Sequence, residues 1–161
     1  MPTGILIPSC DAKPLVLQEF KSLDDYQTEV DGDIQNIELA GPPSSLFVNE
    51  EGKLRELPVN QRATLLLWLH NRPFLLRDEI RGDAILLGPT YWGETQDVPP
   101  SFVSLLLEPQ TFVIESRATG NPIAWTTVPR RRGFKTWVDA YGYALMWTRL
   151  KNVIEVRVSV N

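Results

Sequence analysis

Thirteen prolines and ten glycines punctuate this 161-residue chain. Proline lacks an amide donor and glycine costs entropy inside a helix or strand, so the fold must be assembled from short elements separated by firm turns. With 43% hydrophobic and 22% charged residues there is material for a core, and collagen-like, coiled-coil and wholly disordered classes drop out. The length suits one ordinary domain or two small lobes. Apolar runs such as Leu65-Leu66-Leu67-Trp68-Leu69 fall far short of the roughly 20 residues that span a membrane. No basic stretch leads into an apolar segment at the N-terminus, so a soluble cytoplasmic protein with no membrane partner is expected. A single cysteine, Cys10, allows no internal disulfide, and a single histidine, His70, leaves too few soft ligands for zinc. No cofactor or metal is expected.

Residues 4–8 and 14–20 read as a strand hairpin. Ser22 with Asp25 is a capping pair that opens a short helix over Leu23 to Val30, which Asp31-Gly32 stops. Asp33 to Leu39 alternates as a strand with one wet face. Leu46 to Val48 and Lys53 to Leu57 flank Asn49-Glu50-Glu51-Gly52, which predicts a second hairpin with a tight turn. Asn60 can cap a helix to about Asn71 that is apolar almost all round and therefore buried on more than one side. Ala84-Ile85-Leu86-Leu87 reads as an interior strand.

Residues 90–100 show neither the helix nor the strand period and read as a linker. Beyond it, residues 101–108 predict a short helix, residues 111–117 and 123–128 a hairpin, and Thr136 with Asp139 the start of an amphipathic helix. A final alternating strand covers Val153 to Val160. The expected fold is α+β: a strand-rich lobe over residues 1–89 with hairpins and two helices, then a ββαβ lobe over 101–161.

Gln27 and Val30, then Gly32-Asp33-Ile34-Gln35-Asn36-Ile37-Glu38-Leu39, Val48-Asn49-Glu50-Glu51-Gly52-Lys53, Leu57-Pro58-Val59-Asn60 and Gly82-Asp83-Ala84-Ile85-Leu86 appear in an order that resembles a domain family of unknown function, DUF3846, with an Asn-Glu-Glu-Gly signature. The resemblance covers residues 4–89. It implies a small α+β domain and an actinobacterial, plasmid or phage setting, and it supplies no reaction and no catalytic residue.

Charge is divided unevenly. Residues 1–100 hold 16 acidic and 8 basic side chains (−8), and residues 101–161 hold 4 acidic and 8 basic (+4), so the net −4 is a cancellation. That total is too small for an acidic mimic of DNA. The sharpest positive feature is Arg130-Arg131-Arg132-Gly133-Phe134-Lys135, flanked by Trp125 and Trp137 as faces for stacking. It admits phosphate binding, but a solvated loop attracted to the acidic lobe is the expected reading. Trp137 and Tyr141 read as core, whereas Tyr143, Trp147, Tyr91 and Trp92 are candidate interface aromatics.

Asn49, Glu50 and Glu51 admit a cation or proton-transfer site, but a solvated turn is the expected reading. His70, near the end of its helix, reads as a favourable C-terminal cation. Cys10 beside Asp11 lacks an activating environment. Enzyme is the weakest broad class. The expectation is a non-enzymatic accessory protein of a phage or mobile element that binds a host or phage protein, as a host-takeover or defence-blocking factor would. Nucleic-acid binding through Arg130, Arg131, Arg132 and Lys135 is the alternative.

Overall fold

The computed structural model describes residues 1–128 and 133–161, so Arg130, Arg131 and Arg132 lie outside the described residues. The architecture is α+β, and the chain divides into two compact units, Met1–Leu107 and Glu108–Asn161.

In the first unit, β1 (Thr3–Ile7), β2 (Val16–Glu19), β3 (Ile34–Leu39), β4 (Ser44–Asn49) and β5 (Ala84–Leu87) form an antiparallel sheet in the order β2-β1-β5-β4-β3. The uninterrupted apolar run of β5 is explained by its place at the centre, where all four of its side chains are buried. Each such Ile or Leu contributes about 1.5–3 kcal/mol of burial. Helix α1 (Leu23–Val30) closes one side, with Val30 packing among Phe20, Phe47, Ile85 and Leu87. Ser22 precedes it with no side-chain cap; Asp25 Oδ2 instead accepts from the Lys21 amide at 2.6 Å. Helix α2 (Gln61–His70) buries Ala63, Thr64, Leu66, Leu67 and Leu69, as its nearly continuous apolar surface requires.

The expected hairpin across Asn49-Glu50-Glu51-Gly52 does not form. β4 is hydrogen-bonded to β3 on one edge and β5 on the other, which leaves no edge for a strand at Lys53 to Leu57. That segment is a chain of turns, closed by bonds such as Arg55 N to Glu51 O (2.9 Å) and Leu57 N to Gly52 O (2.9 Å). The linker expected over residues 90–100 holds a small hairpin, β6 (Thr90–Tyr91) and β7 (Glu94–Thr95), followed by α3 (Pro100–Leu107). α3 falls in the first unit rather than the second lobe, with Phe102 buried edge-on to the His70 ring at 5.0 Å.

The second unit comprises β8 (Phe112–Ala118), β9 (Asn121–Thr127), α4 (Trp137–Trp147) and β10 (Val153–Val160), with sheet order β10-β8-β9. Thr136 caps α4 as its spacing predicts, its hydroxyl accepting from the Asp139 amide at 3.1 Å. α4 packs on β10 and β8 through a stripe that includes buried Trp137, Ala140, Tyr141, Ala144 and Leu145. Among the described residues no helix is long and apolar enough to cross a membrane.

His70 is not the helix-end cation its position suggests. Its Nδ1 lies 3.0 Å from the Ala40 carbonyl, and the Ala40 amide donates back to the His70 carbonyl at 2.9 Å, so the end of α2 is pinned to the β3–β4 turn. Desolvation pushes its pKa down from 6.5 to about 4, against smaller opposing hydrogen bonds to the Ala40 and Gly41 carbonyls. Burial therefore outweighs the helix dipole here. A histidine whose folded pKa is depressed binds fewer protons folded than unfolded, so its contribution is present above about pH 6.5 and is lost as pH falls towards 4. The loss should be on the order of 2 kcal/mol. Urea midpoints at pH 7 and pH 4.5 should separate more in the parent than in His70→Gln; equal separations would rule this out.

Candidate interaction site

The site begins where β5 ends. Gly88 donates to the Gln96 carbonyl at 3.0 Å and the Gln96 amide donates to Pro89 at 3.0 Å, which brings the two legs of an arm together. Thr90 then pairs with Thr95 and Tyr91 with Glu94, and the two threonine hydroxyls lie 3.0 Å apart. At the tip Trp92 and Gly93 have φ of 54° and 79°. Two consecutive left-handed residues in a two-residue loop match the twist of a hairpin, the type I′ solution. The foot is tied to β1: the Thr3 amide donates to Asp97 Oδ1 at 2.8 Å, and the Val98 amide to the Thr3 carbonyl at 2.8 Å.

Trp92 is fully exposed and Tyr91 is 55% exposed. A bulky residue at positive φ is disfavoured, and a bare indole is costly in water. Both costs are met at one residue on an ordered turn.

The remaining aromatics divide between opposite sides of the second unit's sheet. Glu115, Arg117 and Trp125 share one side with Glu155, Arg157 and Ser159, as strand alternation and the pairings Glu155 with Arg117 and Arg157 with Glu115 require. Arg157 and Arg117 lie 3.9 and 4.9 Å from the Trp125 ring centre, while Arg117 pairs with Glu155 and Arg157 Nε with Glu115 at 3.1 Å. The Ser159 hydroxyl holds the Glu115 carboxyl below its ordinary range, with Arg157 adding to this and burial opposing it. Trp125 thus already has cation–π partners of its own.

Trp147 lies with Ala124, Thr126 and Leu150 along a cleft of about 480 Å³. Ala124 and Thr126 flank Trp125 on β9 and point the other way, so Trp125 and Trp147 do not form one surface. Tyr143 is partly buried against Phe134 at 5.3 Å, and Lys135 is exposed. Trp137 and Tyr141 are core, as their spacing predicts, and burial raises the Tyr141 hydroxyl pKa.

The Asn-Glu-Glu-Gly segment serves the backbone. Asn49 is buried, its Nδ2 donating at 3.0 Å to both the Val30 and Asp31 carbonyls and its Oδ1 accepting from the Glu51 amide at 2.8 Å. It therefore caps the C-terminal end of α1 from 18 residues away. A β-carbon on Gly52 would stand 2.9 Å from the Arg81 carbonyl, so that position requires close backbone approach. A polar hollow of about 190 Å³ beside them includes Lys53, Asp78, Glu79 and Arg81, whose charges pair as Lys53 with Asp78 and Arg81 with Glu79. Asn60 and Asp83 do not converge on it: Asn60 bonds to Ile7 and Gly82, and Asp83 accepts from the Ser9 amide at 2.8 Å.

The model of the domain of unknown function DUF3846 matches residues 4–110, so the match includes the arm and α3 as well as the signature segment. No curated protein and no solved structure matches.

Proposed function

This chain belongs to the DUF3846 family of domains of unknown function, and on that premise we propose that it acts by binding a protein partner, with Trp92 at the tip of the 88–97 arm as the anchor. The observation that carries this reading is the placement of a fully exposed indole on a hydrogen-bonded type I′ turn. Tryptophan and tyrosine dominate binding hot spots because a large rigid surface is buried at little entropic cost. A hairpin tip already in its bound shape adds to that economy. In the mobile-element setting that the family resemblance implies, the partner is a host or phage protein whose function would be occluded.

Trp92→Asn separates binding from folding. Asparagine-glycine is the preferred type I′ pair, so the variant should keep the parent melting temperature or gain a few tenths of a kcal/mol. Capture of the partner from bacterial lysate, with nuclease present, should fall by roughly thirtyfold or more, the equivalent of a hot spot of about 2 kcal/mol. Undiminished capture by Trp92→Asn would refute the arm as the binding element. Capture abolished by nuclease and unaffected by Trp92→Asn would instead favour nucleic-acid binding through Arg130, Arg131, Arg132 and Lys135.

A further inference from the structure

We infer that the arm is received by an apolar pocket with a rim of lysine or arginine on the partner protein. This rests on the reading of Trp92 as anchor and adds the partner's chemistry. From Gly82 to the end of the first unit at Leu107 the chain carries no lysine or arginine, and the charged residues of the arm itself are Glu94 and Asp97. Glu94 is exposed one position beyond the tip glycine, and Asp97 is exposed at the foot. Asp97 receives the Thr3 amide, and Thr3 is paired across β1–β2 with exposed Glu19. The arm is thus an aromatic tip with carboxylates at its shoulder and base and no cation of its own between them.

The carboxylates favour a cationic partner surface over a neutral one and disfavour an acidic one. A cationic rim would steer the arm over about one Debye length, roughly 8 Å at physiological salt, and a guanidinium or ammonium could lie over the indole face once Trp92 is seated. The indole itself, with about 150–250 Å² to bury, calls for the apolar floor.

The test places a photo-reactive p-benzoylphenylalanine at Tyr91 in the full chain and leaves Trp92 in place. The probe is irradiated in bacterial lysate, and the crosslinked peptide is identified by mass spectrometry. The expected result is a protein adduct at a segment that contains lysine or arginine. Its yield should fall roughly tenfold in Glu19→Lys/Glu94→Lys and again between about 50 and about 300 mM salt, with the melting temperature unchanged. A yield that Trp92→Asn abolishes but charge reversal and salt leave alone overturns the cationic rim and leaves the anchor standing. A yield that Trp92→Asn does not alter overturns the anchor as well. Adducts to nucleic acid or to a second copy of this chain also overturn the inference.

Discussion

Asn60→Ala is expected to cost about 4 kcal/mol. Asn60 is fully buried. Its Nδ2 donates to the Ile7 carbonyl at 2.8 Å and the Gly82 carbonyl at 3.0 Å, and its Oδ1 accepts from the Ala63 amide at 3.0 Å. Its own amide donates to Ile80 at 2.7 Å. One side chain therefore joins the end of β1, the approach to β5 and the first turn of α2. Removing it forfeits a helix cap worth about 1 kcal/mol and strands two buried carbonyls at about 1–3 kcal/mol each. The melting temperature should drop by on the order of 10 °C.

Asn60→Asp is the sharper variant. It keeps the cap acceptor but turns a donor into an oxygen that faces two carbonyls, and at pH 7 it buries a charge. It should be worse than alanine. If the aspartate variant proves the more stable of the two in urea titration, the cap outweighs the staple and this account fails.

Gly88→Ala should cost about 3 kcal/mol, because overpacking against fixed backbone leaves little room to relax. A β-carbon at position 88 would lie 2.1 Å from the Asp97 carbonyl oxygen and 2.9 Å from that of Gln96, both on the returning leg of the arm. To admit the methyl group the two legs must part, and the Gly88 to Gln96 bond at 3.0 Å goes with them. Amide exchange at Gly88 and Gln96, the two donors that close the legs, should accelerate together with the fall in stability. This variant should lose partner capture through disorder of the arm, whereas Trp92→Asn should lose it with the arm intact. A normal melting temperature for Gly88→Ala would show that the legs are not held as closely as the contact implies.

Residue order announces two of the three expected helix caps; Ser22, the third, makes no side-chain cap bond. Thr136 caps α4 by a bond to a residue three positions on, and Asn60 caps α2 with the same spacing. The four apolar residues of β5 announce a strand covered on both faces. The Asn-Glu-Glu-Gly segment makes the tight turn its residues predict, Gly52 N donating to the Asn49 carbonyl at 3.2 Å, but no strand follows because both edges of β4 are already paired. His70 departs from its local reading: helix position favours a cation, but enclosure that involves α3 and the β3–β4 turn favours the neutral ring.

The candidate site was half legible. Tyr91 and Trp92 stand out by residue type, yet Trp92-Gly93 does not resemble the usual asparagine-glycine turn, so residue order alone predicts a linker where the arm forms. Trp125, Trp147, Tyr143 and Lys135 lie within 23 positions of one another in the chain. Strand alternation and the packing of α4 put Trp125 with its own arginines and Trp147 in a separate cleft.

By itself the amino-acid order determined the α+β class, the approximate positions of α1 to α4 and of every strand but β6 and β7, and the capping of α2 and α4, because hydrophobic period and capping act within a few residues of their cause. Only the tertiary structure decided that β4 has no free edge, that His70 is neutral, that α3 belongs to the first unit and that residues 88–97 stand out as an ordered arm. Each of those depends on which groups lie beside one another at long separation, and hydrogen bonding and desolvation answer to that neighbourhood rather than to spacing along the chain.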